Sequence, residues 1–142
     1  MLNFSFLIRL LTTAYALVIA FIVWCASAGW YGPTFTWVQT YVGDKWLHFV
    51  LVGTMALLLN LSLNLTAISQ RFRWILWGTG IMLTLATLEE VSQYWFSTRT
   101  FDLGDLTCNY LGILVIGQLP FLFTKPEKSQ SVKPNSDLPD ET

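Results

Sequence analysis

Before its polar C-terminal tail, the chain has five carboxylate side chains, and all of them lie in three short motifs. The single histidine, His48, lies in the first motif, four residues after Asp44. On a helix this spacing places both side chains on one face, where the carboxylate could orient the imidazole. A positioned imidazole is the commonest general base in enzymes. The five carboxylates are Asp44, Glu89, Glu90, Asp102 and Asp105.

Two kinds of chemistry fit these motifs. In an enzyme, His48 with Asp44 would act as the general base, and Glu90 or Asp105 would act as the acid. Glu90, Asp102 and Asp105 are also candidate oxygen ligands for Mg²⁺ or Mn²⁺, the only cofactor that the sequence suggests. Zinc is less expected, because one histidine and two distant cysteines make no recognisable zinc motif. In a binding site, the substrate would contact Lys45, Gln93, Arg99, Asp102 and Asn109.

The composition predicts that membrane helices carry these motifs. Hydrophobic residues make up 54% of the chain and charged residues only 12%, with a mean hydropathy of +0.51. Four apolar stretches, at residues 10–28, 46–65, 74–96 and 103–124, are each close to the ~20 residues with which a helix crosses a bilayer. We therefore expect an all-α polytopic membrane protein in which residues 1–124 form a four-transmembrane-helix bundle. Residues 125–142 are polar and should form a disordered cytoplasmic tail.

Basic residues predict the orientation, because Lys and Arg mark cytoplasmic loops. Six of the eight Lys and Arg residues lie before the first stretch, between the second and third, or after the fourth. Both termini should therefore be cytoplasmic, and the loops at 29–45 and 97–102 should face outward. All three motifs then fall at the outer face. Cleavage of the first stretch as a signal peptide stays open, because its end is rich in small residues.

Several other residues should shape the bundle. A helical stripe of Asp102, Asp105, Asn109 and Gly112 should face inward, and Gly112 and Gly117 are small enough to let helices approach closely. Aromatic residues of the first outer loop should lie at the headgroup level as a belt. They are Trp30, Tyr31, Phe35, Trp37, Tyr41 and Trp46.

The polar residues of the inner half are better explained by helix–helix hydrogen bonds than by an ion path. The main candidates are Asn60 and Asn64, which are four residues apart in the second stretch. A nucleic-acid partner is not expected, because the chain lacks a basic patch with interleaved aromatic residues.

The order of the three motifs resembles the VanZ-like family of small bacterial membrane proteins. The motifs are Asp-Lys-x-x-His-Phe from Asp44, Glu-x-x-Gln from Glu90, and Arg-x-x-Asp-x-x-Asp-x-x-x-Asn-x-x-Gly from Arg99. The resemblance covers roughly residues 44–117, and Glu89 falls outside the pattern, so its role stays open. It implies a bacterial origin, a location in the cell envelope and, as for some relatives, a link to resistance to the glycopeptide teicoplanin. The family pattern falls on Asp44, Lys45, His48, Glu90, Gln93, Arg99, Asp102, Asp105, Asn109 and Gly112.

Two functions follow as expectations. The first is an inner-membrane protein whose outward-facing polar cavity recognises the headgroup of a lipid, a cell-wall precursor or a lipophilic glycopeptide. Lys45 and Arg99 would then hold an anionic group. The alternative is a membrane-embedded transferase or hydrolase that acts on a lipid-linked substrate with His48, Asp44 and the acidic cluster. The lipid bilayer is the expected partner in both cases.

Overall fold

The computed structural model describes residues 3–30, 32, 37, 43–68, 75–96 and 99–123. The described chain is helical and contains no β-strand, which confirms the all-α prediction; Ala67 and Leu76 form an isolated bridge. The predicted tail at 125–142 lies outside the described residues. The helices are α1 (Phe4–Ser27), α2 (Asp44–Ser62), α3 (Trp77–Ser92, continued by a 3₁₀ turn over Gln93–Trp95), α4 (Leu103–Val115) and α5 (Leu119–Phe123).

The first two helices begin earlier than their hydropathy predicts. Helix α1 begins at Phe4 rather than at residue 10, because the side chain of Asn3 caps it by accepting a hydrogen bond from the Ser5 N–H (3.3 Å). Helix α2 begins at Asp44, after Gly43 with φ of 84°. Asp44 therefore lies in the first turn, where its negative charge complements the helix dipole.

The fourth predicted helix, at 103–124, is broken into two. Helix α4 ends at Val115, a turn follows at 116–118, and α5 is a separate short helix. Pro120 explains the break, because it has no N–H to donate and its ring would clash with the carbonyl group of Ile116 in a continuous helix. Hydropathy alone does not register this interruption.

Helix α2 lies at the centre and packs against α1, α3 and α4. It runs parallel to α4, and the two backbones come close together. A Cβ atom on Gly53 would lie 2.7 Å from the carbonyl oxygen of Gly112, and a Cβ atom on Gly112 would strike the backbone of Phe49. A Cβ atom on Gly117 would lie 2.8 Å from the Cβ atom of Ala56. The predicted close-packing role of Gly112 and Gly117 is confirmed.

A buried network joins α2, α3 and the turn after α4. The Asn60 side chain donates to Thr79 Oγ1 (3.0 Å) and to the Gly117 carbonyl (2.8 Å). It also accepts from the Thr79 N–H (3.0 Å) and so caps α3 in place of a local side chain. The predicted interhelical role is confirmed for Asn60. Asn64 instead lies in the exposed turn after α2, with φ of 55°.

The described residues expose many large apolar side chains and bury polar ones beside a small apolar core of Ala56, Met82, Ala86 and Ile113. The buried polar side chains are Thr12, Asn60, Thr79, Glu90, Gln93 and Asn109. Large apolar side chains are exposed along α1, α3 and α4, for example Leu17, Phe21, Leu88 and Leu111. Exposed apolar patches on this scale are typical of surfaces that face lipid or a partner. Two of the described helices, α1 and α2, are long and apolar enough to cross a membrane.

Candidate functional site

The three motifs meet at one end of the helices. Helix α2 begins there, the 3₁₀ turn that extends α3 ends there, and α4 begins there. All nine polar side chains that were predicted as site residues lie in this region. What the structure adds is how they are paired, and the pairing differs from the prediction in several places.

Lys45 connects the start of α2 to the start of α4. Its Nζ donates to Asp102 Oδ2 (3.1 Å) and to Asp105 Oδ1 (3.0 Å). Asp102 is also the N-cap of α4, where Oδ1 accepts from the Gly104 N–H (2.6 Å). This N–H bond, followed by the charge of Lys45, lowers the pKa of Asp102 below its ordinary value. Asp102 is therefore a carboxylate at neutral pH and has a structural task of its own.

His48 is oriented by Asn109, and not by Asp44 as the i,i+4 spacing predicted. Its Nδ1 lies 3.2 Å from Asn109 Oδ1, which is hydrogen-bonding distance. Its Nε2 lies 3.6 Å from Asp105 Oδ2 and 3.9 Å from Asp44 Oδ1. The Asn109 side chain is almost completely buried at 2% exposure, so its position on α4 is well defined. The imidazole is thus fixed on one side and faces two carboxylates on the other.

Glu90 is fully buried and ties the end of α3 to the start of α4. Its Oε1 accepts a hydrogen bond from the Asp102 N–H (2.8 Å), and its Oε2 accepts one from Gln93 Nε2 (3.1 Å). Both carboxylate oxygens are therefore engaged. This arrangement favours a structural link over the acid or metal-ligand roles that the sequence suggested for Glu90.

Glu89, whose role the sequence left open, is the partner of Arg99. Arg99 Nη1 donates to Glu89 Oε1, and Gln93 Nε2 lies 3.3 Å from Glu89 Oε2. Gln93 thus contacts both neighbouring glutamates. The adjacent pair Glu89-Glu90 was a usable signal in the sequence, because two neighbouring carboxylates in an apolar helix need separate partners.

The polar contacts form one continuous chain from Arg99 to His48. Within the described residues, five carboxylates meet only two Lys or Arg side chains, and both of those are paired with carboxylates. The predicted anion-binding role of Lys45 and Arg99 would require each to exchange a carboxylate for the ligand. The site as folded offers acceptor oxygens in excess of donors.

A cavity of about 570 Å³ opens beside this cluster. Its polar end is formed by Asp44, His48, Glu89, Arg99, Asp105 and Asn109. Its apolar walls come from α1, α2 and α3 and include Ala16, Ala20, Val23, Leu51, Met55 and Met82. Reasoning from polar motifs missed this apolar half, although small residues at helical spacing on α1 were a signal for it.

The predicted metal ligands are only partly brought together. Glu90 and Asp102 are engaged in the links described above, while Asp105 belongs to a different group with Asp44 and His48. One ligand atom from each of these three residues lies within 4.8 Å of the others. The group that the structure brings together offers one nitrogen and two oxygens, whereas the predicted set of metal ligands had three oxygen donors.

Two exposed aromatic residues, Trp30 and Trp46, lie at this end of the molecule. Trp37, a third member of the predicted belt, is also exposed. Trp30 packs edge-on against Trp24 with ring centroids 5.5 Å apart, and Trp46 packs against Phe49. The remaining members of the predicted belt, Tyr31, Phe35 and Tyr41, lie outside the described residues.

Comparisons with protein-family models, with curated proteins and with solved structures found no match to this chain. The resemblance to the VanZ-like family therefore stays a prediction from the motifs.

Proposed function

We propose that this chain is a four-span protein of the bacterial inner membrane that binds an amphiphile at the outer surface. The cavity would take the polar headgroup at its charged end and an apolar chain along its walls. Lipids, lipid-linked cell-wall precursors and lipophilic glycopeptides share this chemistry. Both termini would be cytoplasmic, and the role would lie in envelope maintenance or glycopeptide resistance.

The many exposed apolar side chains support the membrane location. Exposed leucine, phenylalanine and valine side chains on α1, α3 and α4 would be costly in water but are suited to lipid. The stretch formed by α4 and α5 is interrupted by a turn, and interruptions of this kind are tolerated in a membrane where protein covers them. The distribution of Lys and Arg supports the orientation, because six of the eight lie in the segments that are expected on the cytoplasmic side.

The cavity is the observation that carries the proposed ligand class. Pockets for small molecules are mostly apolar with a few placed polar groups, and this cavity has both parts in one continuous space. Because carboxylates exceed cations at its polar end, a headgroup rich in hydroxyl, amide or ammonium donors fits best. Sugar and peptide headgroups meet this requirement.

The test is to measure which amphiphiles stay bound to the full chain purified in a mild detergent. Ala20→Phe would fill the apolar part of the cavity, whereas Val18→Phe adds the same ring at a position of α1 that does not line the cavity and serves as the control. Mass spectrometry of the extracted lipids should show a several-fold loss of one bound class in the Ala20 variant only. Equal retention in both variants would contradict the proposal.

A membrane-embedded hydrolase or transferase is the second candidate. The observation that favours it is the imidazole of His48, which lines the cavity and is fixed at Nδ1 by Asn109. A general base needs this kind of fixed orientation. In an enzyme, His48→Ala would abolish turnover while the bound amphiphile is retained; in a binding protein, the same change would only reduce retention.

A further inference from the structure

We propose that Asp44, His48 and Asp105 bind a divalent first-row transition metal ion of the Mn²⁺ or Zn²⁺ type. The ligands would be His48 Nε2 and one carboxylate oxygen from each aspartate. Imidazole nitrogen favours ions such as zinc or iron, and carboxylate oxygen favours manganese, so a mixed set selects this class over Ca²⁺. The proposal does not depend on an amphiphile ligand, because the three side chains are placed by protein contacts alone.

The distances between the ligand atoms fit such an ion. His48 Nε2 lies 3.6 Å from Asp105 Oδ2 and 3.9 Å from Asp44 Oδ1, and all three groups lie within 4.8 Å of one another. Metal–ligand bonds of about 2.1 Å in a tetrahedral arrangement would place neighbouring ligand atoms about 3.4 Å apart. Rotation of the half-exposed Asp44 side chain and a shift of a few tenths of an ångström at Asp105 would close the site.

Neighbouring side chains already orient two of the ligands, His48 and Asp105, for binding an ion. With Asn109 Oδ1 as acceptor, the proton of neutral His48 is on Nδ1, and the lone pair of Nε2 points toward the two carboxylates. Lys45 bonds Asp105 Oδ1, which leaves Oδ2 for the ion. Metal-binding histidines commonly donate their second N–H to a fixed oxygen, and ligating carboxylates are commonly hydrogen-bonded in the same manner.

A lone pair and two carboxylate oxygens converge here, and a cation between them would contact all three. A metal ion is one source of positive charge for this group, and Lys45, which already bonds Asp105, is the other. The two differ in a measurable way, because only the metal is bound with a fixed stoichiometry and removed by a chelator.

The site would keep a coordination position open toward the cavity. Asp44, His48 and Asp105 all line the cavity, and their side chains are 47%, 19% and 13% exposed. Three protein ligands with an open position distinguish sites that contact a substrate from closed structural sites. An ion here would present its free position to an oxygen atom of whatever enters the cavity.

The experiment uses the full chain in detergent after treatment with a chelator. Titration with MnCl₂ and, separately, with ZnCl₂ should show saturable binding of one ion per chain. Pulsed electron paramagnetic resonance of the Mn²⁺ form should show hyperfine coupling to one imidazole nitrogen. His48→Ala should remove that coupling, and Asp44→Asn and Asp105→Asn should each weaken binding at least about tenfold.

Glu89→Gln provides the matched control, because Glu89 is a carboxylate of the same cavity that is paired with Arg99 and lies outside the ligand set. The affinity of the Glu89→Gln variant for the ion should stay close to that of the wild type. Asp44→Asn is the ligand variant that should disturb folding least, since Asp44 is half-exposed at the start of α2. Absence of saturable binding, loss of affinity in Glu89→Gln equal to that in the other variants, or no nitrogen coupling would each overturn the proposal.

Discussion

Replacing Glu90 by glutamine tests the hydrogen bond between Glu90 and Gln93 at the end of α3 with almost no change in shape. The glutamine oxygen would still accept the hydrogen bond from the Asp102 N–H, which is 2.8 Å long in the wild type. The other position would carry an NH₂ group that faces the NH₂ group of Gln93, now 3.1 Å from a carboxylate oxygen. Gln93 cannot simply turn over, because its amide oxygen would then face the carboxylate of Glu89.

The expected cost follows from the number and type of bonds that are lost. A hydrogen bond to a charged group is worth about 1.5–3 kcal/mol, whereas neutral bonds between membrane helices average about 0.6 kcal/mol. Glu90 is fully buried and loses one charge-assisted bond, so Glu90→Gln should destabilise the protein by about 2 kcal/mol. Glu90→Ala also leaves the Asp102 N–H without an acceptor and should cost about 3–5 kcal/mol.

The assay is reversible unfolding in detergent micelles at neutral pH, followed by the fluorescence of the tryptophans. Wild type, Glu90→Gln and Glu90→Ala would be compared at the same detergent-to-protein ratio. If Glu90→Gln lowers the free energy of unfolding by only about 0.6 kcal/mol or less, the reasoning is refuted, because a loss of that size is typical of a neutral hydrogen bond.

Three further variants test other parts of the fold. Gly112→Ala should cost about 1–3 kcal/mol, because the new methyl group meets the backbone of α2, whereas Gly80→Ala meets only a side-chain end at 3.0 Å and should be near neutral. Asn60→Leu should cost about 2–4 kcal/mol, because it leaves buried backbone groups unpaired, while Ser62→Ala, which loses a bond within its own helix, should change little. Because the pKa of Asp102 is lowered in the fold, its stabilising effect is complete above the unfolded-state value near 3.8 and is lost as the pH falls through the folded-state value. Asp102→Asn keeps the cap acceptor, so its difference in stability from the wild type should stay constant above about pH 5 and shrink as the pH falls below 3.8.

Unfolding curves measured in one detergent check the first two pairs, and a pH series checks the third. Equal stability of Gly112→Ala and Gly80→Ala would show that α2 and α4 can separate at little cost. A loss in Ser62→Ala as large as that in Asn60→Leu would point to a general sensitivity of the end of α2. A difference between Asp102→Asn and wild type that is constant with pH would argue against a charge effect.

The sequence predicted the helices well where one physical signal dominates and less well where two compete. Apolar stretches of near-bilayer length identified α1 and α2, and both helices exist with somewhat different starts. The fourth stretch is equally apolar, but Pro120 interrupts it, because backbone sterics act independently of hydropathy. The start of α1 depends on one capping bond from Asn3, which a hydropathy window cannot detect.

The membership of the polar cluster was predictable, but its pairing was not. Helical spacing placed Asp44 beside His48, yet Asn109 makes the hydrogen bond, because α2 and α4 approach closely at Gly53 and Gly112. Local spacing describes neighbours within a helix and contains no information on the register between helices. The adjacent carboxylates Glu89 and Glu90 did indicate that one of them would pair with a cation, and the structure shows that Glu89 pairs with Arg99.

Within the cluster, structural and functional roles can be separated by burial and by the number of partners. Glu90 and Gln93 are buried and bond to other protein groups, so a loss of function in their variants would not show that they contact a ligand. Asp44 and His48 differ, because they line the cavity and the atoms that face each other, Oδ1 and Nε2, are 3.9 Å apart, beyond hydrogen-bonding distance. Loss of the Asp44 carboxylate removes little packing or hydrogen bonding from the fold, whereas loss of His48 also removes the partner of the buried Asn109 side chain. A functional defect in Asp44→Asn at unchanged stability is therefore stronger evidence for a working site than a defect in any of the buried residues.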